Sequence, residues 1–161
     1  MRPIRKILVP VDFSPCSGRA LAHALDLAMQ LGAEVEILHV AEVPSGFEAG
    51  LVVHEHASAS FQDSARQTAT RALSVFVESI PNTRAVRIAK KIDLGSPRER
   101  ILEQVRREKY DLIVIGTHGT SGRLHGLVGD VTQVLVRDAA CPVLTVGAVD
   151  SSHAAPTNMG Q

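Results

Sequence analysis

Aromatic residues are scarce in this chain: they make up 3% of it, with no tryptophan and a single tyrosine, Tyr110. That scarcity removes the stacking platform on which single-stranded nucleic acid is usually held. Charge of one sign is lacking too, since 17 lysines and arginines balance 17 aspartates and glutamates. Without a positive field, neither nucleic acid nor an anionic membrane surface is an expected partner. The two cysteines, Cys16 and Cys141, lie far apart and form no C-x-x-C pair, which argues against a disulfide scaffold and a thiolate metal site. No apolar stretch approaches the roughly 20 residues of a membrane-spanning helix. The opening MRPIRKILVPVDF carries no small-residue cleavage site, so the expectation is a soluble, cytoplasmic protein.

What the chain does contain is an alternation of strand and helix signals. Its 161 residues suit one domain, expected over residues 1–148, followed by a patternless and disordered tail over residues 149–161. Ile7 to Val11 (ILVPV) is a short β-branched run that leaves into the polar loop DFSPCSG. From Arg19 onward, Ala20, Leu21, Ala24, Leu25 and Ala28 recur at helical spacing until Gly32 stops the helix. Val35 to Val40 (VEILHV) is a second strand. Ala41 to about Ser60 reads as an irregular connection, and Gln62 to Ile80 as a long amphipathic helix. Ala85 to Leu94 is a third strand, with Gly95 and Pro97 turning into a helix that runs to about Glu108. Asp111 to Ile115 (DLIVI) is apolar enough to be buried on both faces, as in the middle of a parallel sheet. A helix over Val131 to Arg137 and a last strand over Pro142 to Val146 complete the set. The order implies an α/β fold: a doubly wound parallel sheet with helices on both faces.

In such a sheet, ligands bind beyond the carboxyl ends of the strands, where the strand order reverses. The stretch that opens there, GTHGTSGRLHGLVGDVTQVL, holds Gly116, Gly119, Gly122, Gly126 and Gly129 ahead of a helix. Glycines let main-chain N–H groups approach an anion, and the helix start adds its positive end. Several nucleotide signatures are nevertheless missing. There is no G-x-x-x-x-G-K-[ST], and the first loop, VDFSPCSG, carries neither G-x-G-x-x-G nor S-G-G-x-D-S. No nucleophile with an evident base stands out, so an enzyme is the least favoured class.

The segments ILVPVDFSP, ILHV, DLIVIGTHG and CPVLTV resemble those of universal stress proteins, and the likeness runs from about Ile4 to Val146. The resemblance implies a five-stranded parallel sheet in the order 3-2-1-4-5 and a homodimer formed through the last strand, Pro142 to Val146. It also implies ATP or a related adenine nucleotide held by a loop written G-x-x-G, nine residues, then G-[ST]. Gly116, Gly119 and Gly129 match that spacing, but Asp130 stands where the Ser or Thr belongs. Carried over by position, Pro10, Asp12 and Val40 would line the adenine and ribose pocket. Ile115 and Gly116 would flank the base, with Gly119, Gly129, Asp130 and Val131 around the phosphates.

Asp130 decides between readings. As a helix N-cap, an aspartate accepts from the orphan amides of the first turn, which typically stabilises by about 1 kcal/mol over alanine. A carboxylate there also competes with phosphate, and two unit charges about 4 Å apart repel by roughly 4 kcal/mol at an effective dielectric near 20. Mg²⁺ bridging carboxylate and phosphate would reverse that sign. A shorter phosphate chain would lessen it, and Arg123 is near in sequence to offset it. One reading is thus a nucleotide-binding stress-response regulator, with which at most slow ATP hydrolysis is compatible. The alternative is a universal stress protein that binds no ATP and works as a dimeric interaction module.

Other residues have a plainer interpretation. His54 and His56, in VVHEHAS, would share a face of an extended segment and suit Zn²⁺ with His39, yet without ligands at a known spacing they read as solvated loop residues. His118 and His125 flank the glycine loop and are placed to donate to phosphate, or simply to face water. Cys16, expected in the loop before the first helix, reads as a small residue in that turn rather than an acidified thiol.

Overall fold

The computed structural model describes residues 3–42, 55–81, 86–118 and 128–147, with the backbone alone for 55–58. The chain runs β1 (Lys6–Pro10), α1 (Pro15–Leu31), β2 (Glu34–Ala41), α2 (Glu55–Glu78), β3 (Ile88–Leu94), α3 (Pro97–Arg107), β4 (Leu112–Gly116), α4 (Asp130–Asp138) and β5 (Val143–Val146). All strand pairs are parallel, in the order β3-β2-β1-β4-β5. Ile7, Leu8 and Val9 of the central strand are 0% exposed, because helices cover both of their faces.

Alternation along each strand sorts the side chains into two cores. Ile7, Val9, Val35, Ile37 and Val114 pack under α1 and α2, against Leu21, Leu25, Leu73 and Val77. Leu8, Leu38, Val40, Ile113 and Ile115 pack under α3 and α4, against Ile101, Val105 and Leu135. β2 and β3 extend the sheet to one side of β1, and β4 and β5 to the other. The reversal therefore falls between β1 and β4, and a crevice opens beyond their carboxyl ends.

The α3 face also holds a buried polar network near the amino ends of the strands. Glu36 Oε1 accepts from Tyr110 Oη (2.6 Å) and Gln104 Nε2 (3.0 Å), while Oε2 faces Lys6 Nζ at 3.1 Å. Lys91 Nζ donates to Gln104 Oε1 at 2.6 Å. Burial pushes the Glu36 carboxyl up, but the hydrogen bonds from Tyr110 and Lys6 outweigh it and leave the group below its ordinary value.

Some boundaries differ from the sequence expectation. α1 starts at Pro15 instead of Arg19, since Ser14 caps it by accepting from Ser17 N (3.1 Å) and proline suits the first helical position. Cys16 is accordingly in the first helical turn, not in a loop. α2 begins at Glu55 rather than Gln62, inside the span expected to be irregular, and residues 43–54 of that span lie outside the described residues. The HASAS segment lacks an apolar stripe, which is the signal that periodicity reads. β3 begins at Ile88 rather than Ala85. The tail expected to be disordered lies outside the described residues. Among the described residues, no helix is long and apolar enough to cross a membrane.

Candidate functional site

The carboxyl ends of β1, β2 and β4 and the first turns of α3 and α4 surround a cavity of about 400 Å³. Eight of the nine residues singled out from the sequence line it: Pro10, Asp12, Val40, Ile115, Gly116, Gly129, Asp130 and Val131. The ninth, Gly119, lies outside the described residues, as do Arg123, His125, His54 and the side chain of His56. Ile101 on α3 joins Val40 and Ile115 in one apolar cluster, so one wall of the cavity is apolar.

The start of α4 lines the cavity as well. Thr132 Oγ1 donates to Gly116 O at 2.9 Å, and Gly129 N donates to Thr117 O at 2.8 Å. These bonds tie the helix start to the end of β4. They also leave the Gly129 amide committed to protein. The next amides, of residues 130–132, have no carbonyl within the helix to bond, and Gly129 offers no capping side chain. Here the structure corrects the sequence expectation: Gly129, not Asp130, is the N-cap. Asp130 is the first helical residue, exposed at the cavity, where its charge still favours the helix dipole.

Asp12 hangs from the end of β1, and its Oδ1 accepts from Ser14 N at 3.0 Å. That bond shapes the turn between β1 and α1. Phe13, between them, takes the left-handed conformation with φ 64°. Its ring therefore leaves the cavity for the other face of the sheet, where it stacks on His39 with 4.1 Å between centroids. His39 Nδ1 donates to Val11 O at 2.9 Å. The other two members of the His54, His56 and His39 grouping, His54 and the side chain of His56, lie outside the described residues. His118 does line the cavity, with Nδ1 2.7 Å from Thr117 Oγ1.

Gly116 has a packing role of its own. A Cβ there would sit 3.0 Å from both the carbonyl carbon and Sγ of Cys16. The Cys16 thiol is buried and donates to Val146 O at 3.2 Å, joining α1 to β5. The sequence reading missed Glu42, Ser96, Arg98 and Thr132, all of which line the cavity. A usable signal existed for one group: Gly95-Ser96-Pro97 closes β3 at its carboxyl end, the end at which the crevice forms.

Comparison with known proteins follows this geometry. A universal stress protein of Methanocaldococcus jannaschii is 33% identical over 142 residues, covering 88% of this chain and 81% of its own length. The solved universal stress protein UspA from Lactobacillus plantarum superposes with TM-score 0.74 at 25% identity, covering 91% of this chain and 99% of that one. The structure of the universal stress protein from Archaeoglobus fulgidus in complex with dAMP shares the fold, with TM-score 0.60 at 22% identity over 90% of this chain and 99% of that one. The family model described as the universal stress protein family matches residues 3–147. With its parallel sheet in the order β3-β2-β1-β4-β5 and that match over nearly its whole length, this chain belongs to the universal stress protein family.

Proposed function

We propose that the cavity beyond β1, β2 and β4 binds an adenine nucleotide, so that the protein acts as a nucleotide-responsive member of its family. The observation that carries this reading is one cavity combining three chemistries. Val40, Ile101 and Ile115 offer apolar surface to a purine, the Asp12 carboxylate is an acceptor for ribose hydroxyls or an exocyclic amine, and the first turn of α4 presents amides to a phosphate. The dAMP complex of the Archaeoglobus fulgidus protein supports it as an analogy of fold. Isothermal titration of the purified chain with AMP tests it directly. Binding that is lost in Ile115→Glu and weakened at least about tenfold in Asp12→Ala is expected, a factor worth roughly 1.4 kcal/mol. Wild-type protein that binds no adenine nucleotide at millimolar concentration would refute the reading.

A second element of the proposal is a homodimer through β5. This strand pairs only with β4 among the described residues, leaving an open edge with Leu144 40% exposed and Thr145 also exposed. Open edges of this kind invite a partner strand. The alternative, a dimeric module without ATP, is favoured by one observation alone, the carboxylate of Asp130 at the cavity.

A further inference from the structure

We infer that Asp130 makes the cavity selective by phosphate number, admitting a nucleoside monophosphate and refusing the triphosphate when no divalent cation is present. The inference rests on the nucleotide-binding reading above and adds the ligand class to it.

The argument begins with the charges around the cavity. Among its described lining residues, Asp12, Glu42 and Asp130 are acidic, and Arg98 is the sole lysine or arginine. Asp12 is partly engaged in its own turn through Ser14 N. Glu42, Asp130 and Arg98 are all exposed, so they stand at the mouth. The depth of the cavity is different in character: Val40 and Ile115 are each 6% exposed, and Ile101 is 5% exposed.

A nucleotide with its base against those three side chains directs its phosphates outward, toward the start of α4. The amides of residues 130–132 can receive a first phosphate, because the helix itself leaves them unbonded. Each further phosphoryl group adds negative charge at the start of α4, where Asp130 is the first helical residue. Unit charges about 4 Å apart at an effective dielectric near 20 correspond to nearly three decades in affinity. Water and salt at an exposed mouth reduce that figure, to roughly 10- to 100-fold. The side chain that sets the limit is Asp130, since it belongs to the same helical turn as the receiving amides. A serine in its place would offer a hydroxyl donor and no charge.

The test is titration of the full chain with AMP, ADP and ATP in EDTA at constant ionic strength, for wild type, Asp130→Ser and Asp130→Asn, with melting temperatures recorded for each. Wild type is expected to bind AMP at least about tenfold more tightly than ATP, with ADP between them. Both variants should tighten ATP by roughly 10- to 100-fold while moving AMP by no more than about threefold. Equal affinity of wild type for AMP and ATP overturns the inference and leaves the nucleotide site standing. Equal gains for AMP and ATP in the variants overturn the assignment to Asp130. If no form binds any of the nucleotides, the site reading itself fails and carries the inference with it.

Discussion

Gly116 and Cys16 meet so closely that a methyl group on the glycine would lie 3.0 Å from the cysteine's Sγ and its carbonyl carbon. One of those contacts is backbone in the first turn of α1 and cannot swing aside. Gly116→Ala is therefore expected to destabilise the fold by about 1–3 kcal/mol, the usual range for overpacking. Adding Cys16→Ala should recover only part of that loss, because it removes Sγ and not the carbonyl. Chemical denaturation of the two single variants and the double variant measures the coupling. Full recovery would show that Sγ alone limits the space.

Phe13 provides a sharper test of backbone strain. With φ at 64°, it occupies a region that only glycine visits without cost. Removing its ring forfeits the contacts with His39 and Phe76 in either Phe13→Ala or Phe13→Gly. Phe13→Gly should nevertheless be the milder change, by about 1 kcal/mol, since it alone relieves the left-handed penalty. Thermal melting of the pair checks the order. A more stable alanine variant would contradict the turn geometry.

The Glu36 network makes stability depend on acid in a definite direction. Its folded pKa lies below the ordinary 4.5, so the unfolded chain binds the proton more readily. The contribution is therefore present above about pH 4.5 and is lost as pH falls through the depressed folded value. Glu36→Gln should cost about 1–3 kcal/mol at pH 7, and its stability should converge on that of wild type in acid. Lys6 behaves in the opposite sense. Burial lowers its pKa, but the bonds to Glu36 and Glu108 raise it further than burial lowers it, so its contribution holds below the ordinary lysine value and fades as pH rises through the raised one. Denaturant midpoints from pH 3 to 11 give both limbs.

Magnesium probes the mouth of the cavity by another route. Mg²⁺ is commonly held by one or two carboxylates together with phosphate oxygens. Adding it should raise the ATP affinity of wild type more than that of Asp130→Asn, which has no carboxylate to share the ion. An equal gain in both would place any bound ion away from Asp130. Titrations with and without chelator, on the same protein preparations, distinguish these outcomes.

The dimer proposal depends on Leu144, whose side chain is 40% exposed on the edge strand. Leu144→Glu is expected to yield a monomer in size-exclusion chromatography with light scattering while changing the far-ultraviolet spectrum little. A substitution at an exposed site should alter the stability of the isolated fold by only about 0.5 kcal/mol. A wild-type monomer at micromolar concentration would end the proposal.

Eight of the residues lining the cavity had been carried over from the family resemblance, and each also sits at or just beyond the carboxyl end of a strand or opens the helix after the glycine-rich loop. Such positions follow from element order. Glu42 and Arg98 were not legible, since nothing in EVP or SPRER separates a residue at a cavity mouth from any solvated charge. The cap at α4 was off by one residue, because Gly129 and Asp130 are both acceptable caps and only the backbone distinguishes them. α2 began earlier than its apolar stripe, for the stripe records burial and not helicity.

By itself the sequence determined the alternating architecture and the strands that lie in the middle. Runs such as ILVPV and LIVI are apolar at every position because helices cover both sides of them, and burial of that kind is written in composition. The tertiary structure alone decided that Gly116 must be small, that Phe13 turns its ring away from Asp12, and that Arg98 faces the same cavity as Asp130. Each is a relation between residues distant along the chain or a choice of one backbone region over another. Local periodicity carries no record of either, since it arises only when the folded elements are brought together.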